Sequence, residues 1–62
     1  MIGEKIRKAR EAKGLTQAQL GELIGVSKVA ICRYEIETLD PPSRVLKAIA
    51  EALGVSVSDI LD

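Results

Sequence analysis

The feature that most constrains this chain is a pair of helix signals with almost nothing between them. Thr16 followed by Gln19 is a capping box, in which each side chain accepts a backbone N–H at the start of a helix. Gly25 is typical of the residue just past a helix end, and Ser27 is a good N-cap for a new helix. Because one residue separates Gly25 from Ser27, the two helices cannot lie side by side. The sequence therefore predicts two steeply crossed helices joined by a tight turn over residues 16–35.

Turn residues divide the rest of the chain at short intervals. Gly14, the run Asp40-Pro41-Pro42 and Gly54 separate segments whose apolar residues recur at helical spacing. Sixty-two residues supply a core for one domain and no more. We therefore expect a single all-α domain over residues 1–62, a compact five-helix bundle that contains a helix-turn-helix. Its predicted helices span about residues 2–13, 17–24, 28–36, 43–53 and 57–61.

Helical phase separates the residues that should face the core from those that should face solvent. In the first, second, fourth and fifth helices the inward residues are Ile2, Ile6, Ala9, Ala12, Leu20, Leu23, Ile24, Val45, Leu46, Ile49, Ala50, Leu53, Ile60 and Leu61. In the third helix the inward set is Ala30, Ile31, Tyr34 and Glu35, and the outward set is Lys28, Val29, Cys32, Arg33 and Ile36. The outward set is therefore the candidate binding face of the helix that follows Ser27.

The formal net charge is zero, but the charges are unevenly distributed. Residues 1–13 carry five cations and two carboxylates, a net charge of +3, whereas residues 14–34 carry +1 and residues 35–62 carry −4. Such an asymmetry suits a protein that lays one surface on a polyanion. It is equally typical of ordinary solvated helix faces, so charge alone leaves both interpretations open.

Residue types exclude several classes of function. The chain has no histidine and a single cysteine, Cys32, so it has no internal disulfide and no cysteine-based metal site. No nucleophile stands beside a base, and we expect neither an enzyme nor a cofactor, a metal or a small-molecule ligand. Neither a secretion signal nor a membrane-spanning run is visible in the sequence. We therefore expect a cytoplasmic protein.

Ordered segments along almost the whole chain match one known pattern. They are Leu15-Thr16-Gln17, Leu20, Gly25-Val26-Ser27, Ile31, Arg33-Tyr34-Glu35, Pro41 and the run from Ile49 to Ser56. Together they resemble the DNA-binding domain of the phage repressor and Cro family, also described as XRE-like. The resemblance implies sequence-specific binding to double-stranded DNA and regulation of transcription, with helix 28–35 in the major groove. It therefore also implies association with the nucleoid. It also implies a homodimer on a two-fold operator, with contacts expected in the region of Val55, Val57, Ile60 and Leu61.

The resemblance further implies roles for individual residues. The expected base contacts are Lys28, Val29 and Arg33, the expected phosphate contacts are Thr16, Gln17 and Ser27, and the expected structural ion pair is Arg10 with Glu35. The fork of Arg33 can bond guanine O6 and N7, whereas Val29 can offer only apolar contact to a thymine methyl. The inward phase of Glu35 independently calls for a partner, because a buried carboxylate needs one.

Three departures from the family pattern bear on the fold and on binding. Gly21 replaces the usual alanine, which permits close helix contact at a cost of about 1 kcal/mol in helix propensity. Pro42 stands where a capping serine is common, so either Asp40 or Ser43 starts the fourth helix. The loop 36–40 lacks basic residues, so we expect its phosphate contacts to be absent or reversed in sign.

The candidate binding face also supports a second function. Val29, Cys32, Ile36 and Leu39 form an apolar run, which suits a protein–protein interaction module, such as an antitoxin-like, adaptor or redesigned domain with little DNA affinity. DNA binding would weaken steeply with salt, and a protein interface would not. We interpret Cys32 as a small residue tolerated on this face rather than as a redox switch.

Overall fold

All five predicted helices form, and short connections join them. The computed structural model describes residues 1–61, so Asp62, the last residue of the predicted domain, lies outside the described residues. The helices are α1 (Ile2–Ala12), α2 (Gln17–Ile24), α3 (Lys28–Glu35), α4 (Ser43–Leu53) and α5 (Val57–Ile60). The helices α2 and α4 have the predicted bounds, whereas α1, α3 and α5 each end one residue earlier. None of the helices within residues 1–61 is long and apolar enough to cross a membrane.

Hydroxyl caps begin both helices of the central pair. Thr16 Oγ1 accepts the Gln19 backbone N–H at 3.0 Å, and Gln19 Oε1 accepts the Thr16 backbone N–H at 2.8 Å. At the start of α3, Ser27 Oγ accepts the Ala30 backbone N–H at 3.0 Å. Each cap satisfies a backbone donor that the helix itself leaves unpaired. The predicted capping box is confirmed, and the turn between α2 and α3 is as short as the sequence indicates.

The four longer helices all end in one backbone motif. The second or third residue past each helix donates its N–H to a carbonyl five residues earlier, and these donors are Leu15, Val26, Thr38 and Val55. The motif requires a left-handed residue just before the donor, a position that favours glycine. Glycine fills it after α1, α2 and α4, but after α3 it is Glu37, with φ of 63°.

Like α1, α4 begins without a side-chain cap. Pro42 is the N-cap residue and provides no side-chain hydrogen bond, and Ser43 is the first helical residue. Of the two starts that the sequence left open, Ser43 is therefore correct and Asp40 is not.

The core is aliphatic, with Tyr34 as its single aromatic residue. All five helices contribute to it, and its buried members are Ile6, Leu20, Ile31, Tyr34, Val45, Ile49, Ala50, Leu53 and Ile60. Leu46 is half-buried and packs against this cluster. Leu61 is 39% exposed, so the prediction that it faces inward is wrong.

Leu23 was predicted to face inward and does not, since it is 62% exposed. The buried side of α2 is centred between Leu20 and Gly21 instead. A Cβ atom added at Gly21 would lie 2.5 Å from the Val26 carbonyl oxygen, so α2 approaches the turn along its glycine side. Leu23 lies on the side of Leu20 that points away from Gly21, so this close approach leaves Leu23 exposed to solvent.

Ala12 was also predicted to face inward, and it is exposed. The residues of α1 that are buried are Gly3, Ile6 and Arg10, which share one side of the helix. The periodicity of apolar residues missed this side because two of its three members are a glycine and an arginine.

Candidate nucleic-acid interface

Helix α3 is fixed to α1 by the predicted ion pair. Arg10 Nε donates to Glu35 Oε2 at 2.6 Å, and Arg10 Nη2 donates to Glu35 Oε1 at 3.1 Å. Both residues are buried, and the two-pronged geometry matches a guanidinium to a carboxylate. A third Arg10 nitrogen, Nη1, donates to the Leu15 carbonyl oxygen at 2.8 Å, just before α2. One arginine therefore ties together α1, the start of the helix-turn-helix and the end of α3.

The contact with Glu35 favours the charged form of Arg10. The hydrogen bond to Glu35 raises the pKa of Arg10 above its already high value, against the opposing effect of burial. No buried side-chain nitrogen or oxygen in residues 1–61 lacks a hydrogen-bond partner. The inner end of α3 is thus held by a satisfied polar network.

Gln17, which was predicted to contact phosphate, belongs to the same network. Its Nε2 atom donates to Glu35 Oε1 at 3.1 Å, so the Glu35 carboxylate accepts from both Arg10 and Gln17. An amide group carries two N–H donors, and one of them is left for a further acceptor. Sequence reasoning missed this bond because it depends on how α2 docks on α3.

Gly3 allows the start of α1 to touch the end of α3. A Cβ atom added at Gly3 would clash with the Glu35 carbonyl oxygen and would lie 2.7 Å from the Tyr34 carbonyl oxygen. The backbones of α1 and α3 therefore meet without an intervening side chain. A glycine one residue inside a helix start is the only signal of this contact in the sequence.

The outer face of α3 is open to solvent. Lys28, Val29, Arg33 and Ile36 are exposed, and Cys32 is half-buried. Neither the Lys28 side chain nor the Arg33 side chain makes a hydrogen bond or ion pair with any residue from 1 to 61. A shallow groove of about 540 Å³ runs along this face, lined by Gln17, Lys28, Val29, Cys32, Arg33, Ile36 and Thr38. The structure thus brings the three predicted base contacts onto one surface, with Gln17 at its edge.

The other two predicted phosphate contacts are exposed hydroxyls at helix starts. Thr16 and Ser27 each use their oxygen as an acceptor for the first turn of a helix. The hydroxyl proton of each is not needed for capping, so it can be donated to an anion. Both helix N-termini also carry partial positive charge.

The residues predicted to form a dimer contact are not all on the surface. Ile60 is 1% exposed and belongs to the core of its own chain, so its prediction as an interface residue is wrong. Val55 and Val57 are half-buried against the core, and Leu61 is exposed. The error has a simple cause, since a four-residue helix must bury its one large inward residue to stay docked.

Two helices joined by a short turn on a helical scaffold, the second with an open outer face, define the helix-turn-helix class. A family model described as helix-turn-helix matches residues 6–60, and the chain belongs to this family.

Named relatives are consistent with the family assignment. The chain is 38% identical to repressor protein C2 of Salmonella phage P22 over 98% of its own length and 28% of that protein's. A crystal structure of the P22 c2 repressor in complex with synthetic operator 9T is 37% identical, with a TM-score of 0.95, covering 100% of this chain and 94% of that one. SinR in complex with DNA is 35% identical, with a TM-score of 0.91 and full coverage of both chains.

The length of this chain differs from that of its full-length relatives. It spans between 28% and 56% of the length of three of the curated relatives that it matches.

Proposed function

We propose that this chain is a sequence-specific double-stranded DNA-binding regulator of transcription that inserts α3 into the major groove. The observation that carries the proposal is the division of α3 into two faces. Its inner face is held by the core and by the Arg10–Glu35 pair, while its outer face leaves two cations without partners in residues 1–61. The matches to the P22 c2 repressor solved with a synthetic operator and to SinR solved with DNA support the same conclusion. The protein would act by binding rather than by catalysis, in the cytoplasm and on the nucleoid.

Arg33 carries most of the proposed sequence readout. Its guanidinium can bond both guanine O6 and N7, a contact worth about 1 to 3 kcal/mol of discrimination. Val29, 56% exposed on the same face, can contact a thymine methyl. Lys28, at the helix start, can reach a base edge or a phosphate.

Thr16, Gln17 and Ser27 would position the helix on the DNA backbone. Each keeps a hydrogen-bond donor that its contacts within the chain do not use. Donors at helix N-termini suit phosphate oxygens, and such contacts fix the register without reading sequence.

A homodimer on a two-fold operator completes the proposal. The surface available for it near the end of the chain includes Leu61 and the exposed parts of Val55 and Val57. Sedimentation of the free protein and of its DNA complex tests the dimer, and a monomer in both would contradict it.

Selection of binding sites from a randomised duplex pool, at about 0.05 M and about 0.2 M salt, tests the function. Phosphate contacts release counterions, so binding should weaken steeply across this range. We expect one enriched half-site and, for a dimer, its inverted repeat at a fixed spacing. A pool without any enriched sequence at the lower salt concentration would overturn the proposal.

The apolar groove beside α3 favours a second candidate, a protein–protein interaction module. Val29 and Ile36, 56% and 64% exposed, flank the half-buried Cys32 in it. Binding to a protein through this groove would change little with salt and would be lost in Ile36→Asp. Binding to DNA would instead be lost in Arg33→Ala.

A further inference from the structure

Glu37 is the one non-glycine residue with positive φ in residues 1–61. It occupies the left-handed position that ends α3, the position that glycine fills after α1, α2 and α4. A side chain there costs about 1 kcal/mol relative to glycine. The backbone motif that ends α3 does not require a carboxylate. A strained residue at an exposed position therefore indicates that its side chain has a function.

The position of Glu37 is fixed by two backbone bonds. Its own N–H donates to the Tyr34 carbonyl at 3.3 Å, and the next N–H, that of Thr38, donates to the Arg33 carbonyl at 3.0 Å. Thr38 lines the same groove as Arg33 and Lys28. Glu37 therefore lies at the C-terminal edge of the outer face of α3, held there by the backbone.

The charge at this edge opposes the charge of the outer face. The Glu37 side chain is exposed and makes no hydrogen bond or ion pair within residues 1–61. Lys28 and Arg33 are the cations of the face, and Glu35 is already neutralised by Arg10. The unpaired carboxylate of Glu37 thus adds a negative charge next to a surface whose two cations are Lys28 and Arg33.

Resting on the function proposed above, we propose that Glu37 limits affinity for DNA by repelling the phosphates that flank the groove occupied by α3. Binding to any duplex is dominated by attraction between cations and phosphates, so a fixed carboxylate at the edge weakens it. Occupancy of a site then depends more on the base contacts of Arg33. Glu37 is a determinant of affinity, although it bonds no base.

Three substitutions at one position separate charge from strain. Glu37→Gln removes the charge and keeps the side chain, Glu37→Lys reverses the charge, and Glu37→Gly removes both charge and strain. The matched control is Glu51→Gln, because Glu51 is exposed and lines a different groove, between α2 and α4. Dissociation constants are measured on the selected duplex and on a random duplex, at about 0.05 M and about 0.2 M salt.

We expect Glu37→Gln to tighten binding to both duplexes by roughly two- to fivefold, the size of one exposed charge interaction. Glu37→Lys should tighten it further, and Glu51→Gln should change it by less than about twofold. All gains should shrink at the higher salt concentration because screening shortens the reach of the charge.

The outcomes distinguish this proposal from the function on which it rests. If the wild-type protein selects a site and Glu37→Gln binds no tighter than Glu51→Gln, the role of Glu37 is overturned and DNA binding stands. Tighter binding in Glu37→Gly alone would show that relief of strain, and not charge, is responsible. If the wild-type protein selects no site, both proposals fail together.

Discussion

The two faces of α3 are built on different principles. On the inner face Ile31 and Tyr34 are buried in the core, and Glu35 accepts hydrogen bonds from two other elements. On the outer face the cations Lys28 and Arg33 have no partner within residues 1–61. The fold therefore depends on the inner residues, while the outer residues are free to change what the helix recognises. Substitutions should divide accordingly into those that unfold the protein and those that alter binding alone.

The largest effect is expected for Glu35→Ala. Removing one partner of a buried ion pair leaves the other charge unpaired and destabilises by about 3 to 5 kcal/mol. A domain of this size has little more than that in total, so the variant should be largely unfolded in urea titrations. Glu35→Gln keeps an acceptor for Arg10 and should lose less. A loss below about 1 kcal/mol for Glu35→Ala would show that the inner face does not depend on the pair.

A smaller effect is expected for Gly3→Ala, which tests the backbone contact between α1 and α3. Alanine is the better helix former by about 1 kcal/mol, but its Cβ would clash with the Glu35 carbonyl. We expect a net loss of about 1 to 3 kcal/mol in the free energy of unfolding. Gly14→Ala is the control, since its Cβ would meet nothing within 4 Å and only backbone strain remains. A Gly3→Ala protein more stable than wild type would contradict the close approach.

Ser27→Ala tests the cap that starts α3 and so positions both faces. Losing the bond to the Ala30 N–H should cost about 1 kcal/mol. Ser43 starts α4 without serving as its cap, so Ser43→Ala should change stability by less than about 0.5 kcal/mol. Thermal unfolding of the two variants compares them directly, and equal losses would argue against the cap.

The smallest effect concerns a region far from the outer face, the start of α5. The Ser56 backbone N–H, followed by its hydroxyl, holds the pKa of Asp59 below its usual range. A lowered pKa stabilises the fold above the ordinary value near 4, and that contribution is lost as pH falls through the lower folded value. Asp59→Asn should therefore show a weaker fall in stability between pH 5 and 3, measured by urea titration, with DNA binding at neutral pH unchanged. An unaltered pH profile would exclude this role.

The sequence predicts helix ends well because they are local. The signals at Thr16, Gly25 and Ser27 each act within a few residues. The structure confirms Thr16 and Ser27 as N-caps and Gly25 as the C-cap of α2. The inward phase of Glu35 also follows from helical geometry alone, and its partner Arg10 follows from the resemblance to the repressor family.

Contacts that depend on how helices dock are not predictable in the same way. Leu23 has the hydropathy of a core residue and is exposed, because Gly21, on the other side of the helix, sets the rotation of α2. Gly3 has no side chain and so gives no periodic signal, yet it sets the distance between α1 and α3. Ile60 carries the signal of a core residue, and assigning it to a dimer contact as well was the error.

Arg33→Ala, measured for both DNA binding and stability, tests the central claim most directly. Its control is Lys8→Ala, which removes one exposed cation from the side of α1 that faces away from α3, where Lys8 pairs with Glu4. We predict that Arg33→Ala weakens binding to the selected duplex by roughly 5- to 150-fold, with the free energy of unfolding unchanged within about 0.5 kcal/mol. Equal losses of binding in the two variants, or unfolding in Arg33→Ala, would contradict the division of α3 into an inner face that holds the fold and an outer face that binds DNA.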